Sequence, residues 1–199
     1  MAVGIAALIL AVGAALLGRS FVDDPPAPAK TERREGELIR FEDREKKLSI
    51  SYPSTWQRID SSDPEVSLVA GTAEASLLMR TASIGTPVGV ESIGSVKKLT
   101  DRLVRAGKKV KQLRPPRRID DLGGLPGWLY IYSFQDSASG QRGAHAHYFV
   151  FRGETMITLV FQTLPSERFA TYAPLFDRLA STFRAKLPAD GGDDSGRGA

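Results

Sequence analysis

The chain of 199 residues contains neither cysteine nor asparagine. Without cysteine there are no disulfides, no thiolate zinc sites, no thiol nucleophile and no lipid-attachment cysteine of the bacterial lipoprotein kind. Without asparagine there is no N-glycosylation site. Histidine is nearly absent as well, with only His145 and His147 present. The absence of Asn and Cys beside abundant Ala, Gly and Arg fits a GC-rich bacterial genome. No Gly-x-Ser-x-Gly elbow, Walker A loop, dinucleotide glycine signature, His-Glu-x-x-His pair or EF-hand loop occurs. Gly123, Gly124 and Gly127 are interrupted by Pro126 and lead into a strand, so they are no phosphate cradle. The acidic pairs Glu42/Asp43 and Asp120/Asp121 are adjacent in sequence and point apart. The expectation is therefore a protein that is not an enzyme, with no catalytic residue, metal or cofactor.

One long apolar run is present. Residues 1–18 (MAVGIAALILAVGAALLG) carry no charge. As a helix they would span roughly 27 Å, close to the roughly 30 Å of a bilayer core. The reading is one transmembrane helix, which anchors the chain in a bacterial membrane. A cleaved signal peptide is the rival. Small residues Ala11, Gly13 and Ala15 could serve it, but no basic region precedes the run, and the run exceeds the usual apolar stretch of about 7–15 residues. Arg19, Lys30, Arg33 and Arg34 favour a cytoplasmic domain by the positive-inside rule, whereas the Pro-rich spacer favours an exported one. Single-pass attachment with an extracytoplasmic body is the expectation.

The rest divides cleanly. Residues 19–36 form a Pro-rich charged linker, stiffened by Pro25, Pro26 and Pro28. Residues 37–186 form one domain large enough for a core without disulfides. Residues 187–199 form a low-complexity tail. Within the domain, Leu38 to Phe41 and Leu48 to Tyr52 read as strands, with a turn at Pro53 and Trp56 as a core anchor. Val66–Ala70 and Ala75–Ala82 read as a hairpin, followed by a loop over 83–89. A helix is expected from a Ser92 cap to Arg105, with Ile93, Val96, Leu99, Leu103 and Ala106 inward. Lys109–Leu113 reads as a strand stopped by Pro115 and Pro116.

Three longer strands follow: Trp128–Phe134, His145–Phe151 and Thr155–Thr163, joined by short loops as a meander. Alternation puts Trp128, Tyr130, Tyr132 and Phe134 on one face, expected to pack under a last helix carrying Phe169, Tyr172, Phe176, Leu179 and Phe183. Pro174 should kink or divide that helix. The class is α+β, a central antiparallel sheet flanked by helices.

The Tyr52-Pro-Ser-x-Trp56 turn, the middle helix, Leu122-Gly-Gly-Leu-Pro-Gly127 before an aromatic strand, the turn at Gly153, Phe161-Gln162 and Ser181-Thr-Phe183 follow one another in a telling order. Over residues 37–186 this order resembles the PsbP-like fold, shared with Ran-binding Mog proteins and actinobacterial LpqN-type lipoproteins. The resemblance implies an α/β/α sandwich with adaptor or accessory roles and no shared catalytic centre. No functional residue carries over, and the missing cysteine departs from the lipid-anchored members.

Two constellations remain. His145 and His147 share one strand face and could ligate a metal, but no third ligand lies near them in sequence, and a core position beside Phe149 is the plainer reading. From Lys97 to Arg118 ten Lys or Arg stand against the single acid Asp101. Lys97, Lys98, Arg102, Arg105, Lys108, Lys109, Arg117 and Arg118 are the candidate contact residues for an anionic envelope component or a protein. A solvated face is the alternative. Nucleic acid is not expected, because no aromatic platform is interleaved with these charges. The functional expectation is a membrane-anchored binding or scaffolding domain of the bacterial cell envelope. A carrier of a small apolar or lipid ligand would instead show a large pocket lined by the Trp128-strand aromatics. An unrecognised enzyme would show a cleft in which His145 or His147 meets a carboxylate.

Overall fold

The computed structural model describes residues 36–186. The expected membrane helix at 1–18, the linker up to residue 35 and the tail 187–199 lie outside these. Among the described residues no helix is long and apolar enough to cross a membrane.

The elements run β1 (Leu38–Asp43), β2 (Leu48–Pro53), β3 (Gln57–Arg58), β4 (Val66–Gly71), β5 (Ala75–Val88), α1 (Lys97–Arg105), β6 (Lys111–Leu122), β7 (Leu125–Gln135), β8 (Arg142–Thr163), α2 (Phe169–Ser181) and β9 (Arg184–Ala185). A 3-10 turn precedes each helix, at Ile93–Val96 and Ser166–Arg168. The strands form two antiparallel sheets, β1-β2-β9 and β3-β4-β5-β8-β7-β6. The single expected sheet is thus a large sheet with a small companion.

β8 folds back on itself. A straight strand at about 3.3 Å per residue would hold Gly143 and Thr163 roughly 66 Å apart. Instead a Cβ at Gly143 would stand 3.0 Å from the Thr163 carbonyl oxygen. The reversal falls at Arg152-Gly153-Glu154, where Gly153 takes a φ of +55°. The first half pairs with β7, from Gly127↔Val150 to Gln135↔Arg142, and the second with β5, from Ala75↔Thr163 to Ser83↔Thr155. This is the expected meander.

Side-chain alternation then decides the layers. Tyr130, Tyr132 and Phe134 of β7 lie with Phe149 and Phe151 of β8 on one face, under Ile93, Val96 and Val104. Leu129, Ile131, Ala146 and Tyr148 point to the opposite face, toward Phe176, Leu179 and Phe183. The aromatic face of β7 therefore packs under α1 and not, as expected, under α2. The period of two in a strand separates the sets but does not say which helix covers which. The small sheet closes the α2 side: Leu48, Ile50 and Trp56 join that core, and Ser51 N–H donates to Thr182 Oγ1 at 2.8 Å.

Five local expectations are corrected. The inward stripe of α1 is Thr100 and Val104, with Leu99 and Leu103 half-buried and Ala106 exposed. The 3-10 turn before it has three residues per turn, which shifts the phase of the stripe. Ser92 caps nothing there; its Oγ accepts from Gly89 N–H at 2.9 Å. Residues 83–88, expected as loop, extend β5 past a register shift to the pair Val88↔Gly153. β6 continues past Pro115 and Pro116, with a slip of register there, because it is the outermost strand and a missing N–H on an edge costs no ladder bond. α2 likewise runs undivided through Pro174. The carbonyl that Pro174 deprives of a donor belongs to exposed Ala170, where water can reach it.

Gly123 closes the β6–β7 hairpin at a φ of +65°, and a Cβ there would meet the Phe183 carbonyl oxygen at 2.6 Å. Gly123→Ala combines a disfavoured backbone with a backbone clash. It should cost more than about 1 kcal/mol in urea unfolding, with an unchanged m-value.

Candidate functional site

The helix that carries the first basic residues is pinned by its only acid. Asp101 accepts from Lys97 Nζ at 2.5 Å and from the Tyr130 hydroxyl at 2.8 Å. Arg105 reaches it at 3.9 Å, and Thr100 Oγ1 lies 2.7 Å from the same tyrosine hydroxyl. Burial pushes the Asp101 carboxyl up, but the hydrogen bonds from Lys97 and Tyr130 and the charges of Lys97 and Arg105 outweigh it and hold it below its ordinary value. Lys97 Nζ also sits 5.3 Å from the Trp128 ring centroid and 5.4 Å from that of Tyr130. Lys97 is thus a clamp between α1 and β7. Lys98 and Arg102 are exposed on the helix, and Lys108 and Lys109 are exposed in the turn after it. Among the described residues no ion pair engages these four.

Arg117 and Arg118 part company at β6. Arg118 stands opposite Trp128, donates to the Val90 carbonyl at 3.2 Å and pairs with Asp120 at 2.9 Å. Arg117 stands opposite Leu129, on the α2 side of the sheet. The eight expected residues therefore do not share one surface. On the α2 side Arg117 joins two cations that were not singled out. One is Arg114, opposite Ile131, and the other is Arg142, whose Nη1 donates to Ser133 Oγ at 2.9 Å. Only strand pairing could place Arg142 there. A cavity of about 250 Å³ opens beside Arg114 and Arg117, between β6–β8 and α2. It is lined by Leu129 and Ile131, the opposite side of β7 from the aromatic row.

The histidines are buried completely. His145 Nδ1 and His147 Nδ1 each lie 3.0 Å from the Tyr132 hydroxyl, and His145 Nε2 lies 2.8 Å from Gln162 Oε1. With the amide oxygen accepting, His145 donates from Nε2 and accepts the Tyr132 proton at Nδ1. Tyr132 in turn accepts from His147 Nδ1. His147 Nε2 is left as a buried acceptor without a partner, its ring stacked on Phe149 at 3.9 Å. Burial lowers both basicities. It takes His145 down to about 4 against the opposing Gln162 bond, and it takes His147 well below 6.5 with help from the His145 charge. Neither ring meets a carboxylate. Among the described residues no three His, Cys, Asp or Glu side chains gather as a metal centre requires.

With a helix on each face of its large antiparallel sheet, the chain has the PsbP-like fold that the order of its turns resembles. It is similar to cyanobacterial PsbP (CyanoP) of Synechocystis at 17% identity and a TM-score of 0.51, over 81% of this chain and 100% of that one. It is similar to LpqN of Mycobacterium tuberculosis, described as involved in cell envelope biogenesis, at 10% identity and a TM-score of 0.56, over 79% and 98%. The Ran-binding protein Mog1p of Saccharomyces cerevisiae matches 75% of this chain over 95% of its own, at 9% identity and a TM-score of 0.49. No family model matches the chain, and no curated protein matches it in sequence. At these identities the likeness to CyanoP and LpqN is one of fold alone.

The buried polar groups tie stability to pH and to Asp101. An unfolded histidine takes up a proton near pH 6.5 and folded His145 only near 4, so between these values the unfolded state binds more protons. Stability should be full above about pH 6.5 and fall by roughly 3 kcal/mol toward pH 4 from His145 alone. His145→Gln should flatten that slope in urea titrations run across the range. Asp101→Ala, which takes the shared carboxylate from Lys97 and leaves the Tyr130 hydroxyl with Thr100 Oγ1 alone, should cost about 1 kcal/mol and loosen α1, read as faster amide exchange over residues 97–105.

Proposed function

We propose that this chain is a non-enzymatic binding domain held at a bacterial cell membrane by residues 1–18, with its folded body outside the cytoplasm. Its contact surface is the exposed side of α1 and the turn that follows. The observation that carries the reading is the division of labour among the basic residues. Asp101 engages Lys97 and Arg105, Asp120 engages Arg118, and Lys98, Arg102, Lys108 and Lys109 stand exposed without a carboxylate. Cations so placed are suited to an acidic surface of the envelope or of a protein. The sealed histidine cluster offers no reactive group to a substrate, which supports a role in binding. The apolar run and the Pro-rich linker support attachment through a stalk.

Lys98→Glu, Arg102→Glu and Lys108→Glu together should abolish crosslinks to the partner in intact cells, and raised salt should weaken the wild-type complex as screening shortens the reach of exposed charges. Unchanged crosslinks in the triple variant would remove this surface from consideration. A periplasm-dependent reporter fused after residue 186 should be active; activity of cytoplasmic reporters alone would reverse the topology.

A further inference from the structure

The cavity between β6 and α2 uses other residues than the α1 surface, and it is built by a defect in a strand. In a regular strand, residues three apart point to opposite faces. Arg114 and Arg117 are three apart, yet their partners Ile131 and Leu129 are two apart on one face. The register slips between Arg114 and Arg117, at Pro115-Pro116, and the bulge turns both guanidiniums to the same side. Both line the cavity.

Below them the walls are apolar: Leu129, Ile131 and Ala146 from the sheet, and Phe169, Ala173 and Phe176 from α2. Ala146 and Ala173 are small, which leaves room between layers that are otherwise packed. One acid is present. Asp177 lines the cavity and accepts from the Tyr148 hydroxyl at 3.4 Å. Arg117 lies near enough to that hydroxyl to oppose the rise in its pKa caused by burial and by Asp177. Two guanidiniums against one carboxylate leave one positive charge in excess at the rim of an oily pocket. Among the described residues no ion pair engages Arg114 or Arg117.

We propose that this cavity binds a small amphiphile, an oxyanion head of the carboxylate or phosphate kind on a short alkyl body. The head sits between Arg114 and Arg117, whose planar donors match such an anion, and the alkyl chain lies against Leu129, Ile131 and Phe176. A volume of about 250 Å³ lies below the roughly 300 Å³ at which ligand pockets usually begin, so the site takes a short chain or the end of a longer one.

The test uses the full chain in phosphatidylcholine nanodiscs and decanoate carrying a photoreactive diazirine. Crosslinks should map to β6–β8 and α2. Decanoate and decyl phosphate should compete, and their ranking separates the two head groups; decanol and inorganic phosphate should not. Arg114→Gln with Arg117→Gln should cut labelling about tenfold or more. Ala173→Trp, which fills the cavity, should remove it. Lys98→Gln with Arg102→Gln should leave it intact, so failure of this site and failure of the α1 surface are separable. Circular dichroism and melting curves confirm that each variant folds, and the competition series on the wild-type chain needs no variant. Labelling confined to residues 1–18, equal competition by decanol, competition by inorganic phosphate alone, or undiminished labelling of the double arginine variant would each overturn the proposal.

Discussion

Strand β7 and the doubled strand β8 bury side chains on both faces, and successive residues must go to opposite sides. This single constraint sets two cores. Tyr130, Tyr132, Phe134 and Phe149 need a cover on one side, and Leu129, Ala146 and Tyr148 need one on the other. Neither set could be satisfied by one helix. α1 with its preceding 3-10 turn supplies the first cover, while α2 with the small β1-β2-β9 sheet supplies the second. The sheet between them is a wall, and whatever the chain does on one side is separated from the other.

That wall sorts the basic segment. Lys97 to Lys109 lie on the α1 side, where Asp101 ties the helix to Tyr130 and so fixes which charges remain exposed. Arg114 and Arg117 cross to the α2 side because the diproline bulge slips the register. A continuous run of charge in the chain becomes two separate electrostatic features, an exposed convex one and a recessed one with an apolar floor. The histidines are part of neither. They are sealed into a chain of hydrogen bonds through Tyr132 and Gln162, where their polarity fixes the packing of the β7–β8 face and ties fold stability to pH.

Elements with a strong local signal were legible in the residues themselves: the paired strands around Gly71 and Gly153, the turn before Trp56, both helices and the alternation along Trp128–Phe134. The breaks expected at Pro and Gly share one cause. Pro115, Pro116, Gly85 and Pro174 are breakers in isolation, but each sits where an edge, a bulge or solvent absorbs the lost hydrogen bond. The inward face of α1 was misphased because its first turn is 3-10, and periodicity counts assume an α-helix from the start. Of the eight residues expected to make contact, Lys98, Arg102, Lys108 and Lys109 stand exposed together on α1 and its turn, as neighbours in sequence on a short helix must. The clamp role of Lys97 and the separation of Arg117 depend on partners far along the chain, Tyr130 and Leu129, which no local pattern connects to them.

By itself the sequence determined the order of elements, the two-sided burial of the central strands and the richness of cations between Lys97 and Arg118. These follow from backbone periodicity and side-chain chemistry, which act over a few residues. Tertiary structure alone decided which helix covers which face, which charges Asp101 and Asp120 neutralise, and that Arg114 and Arg117 open onto one cavity with Tyr148 and Asp177. Those outcomes depend on strand register and on the side of the sheet to which a residue is turned. A slip of one residue reverses that side, and only pairing across the chain fixes it.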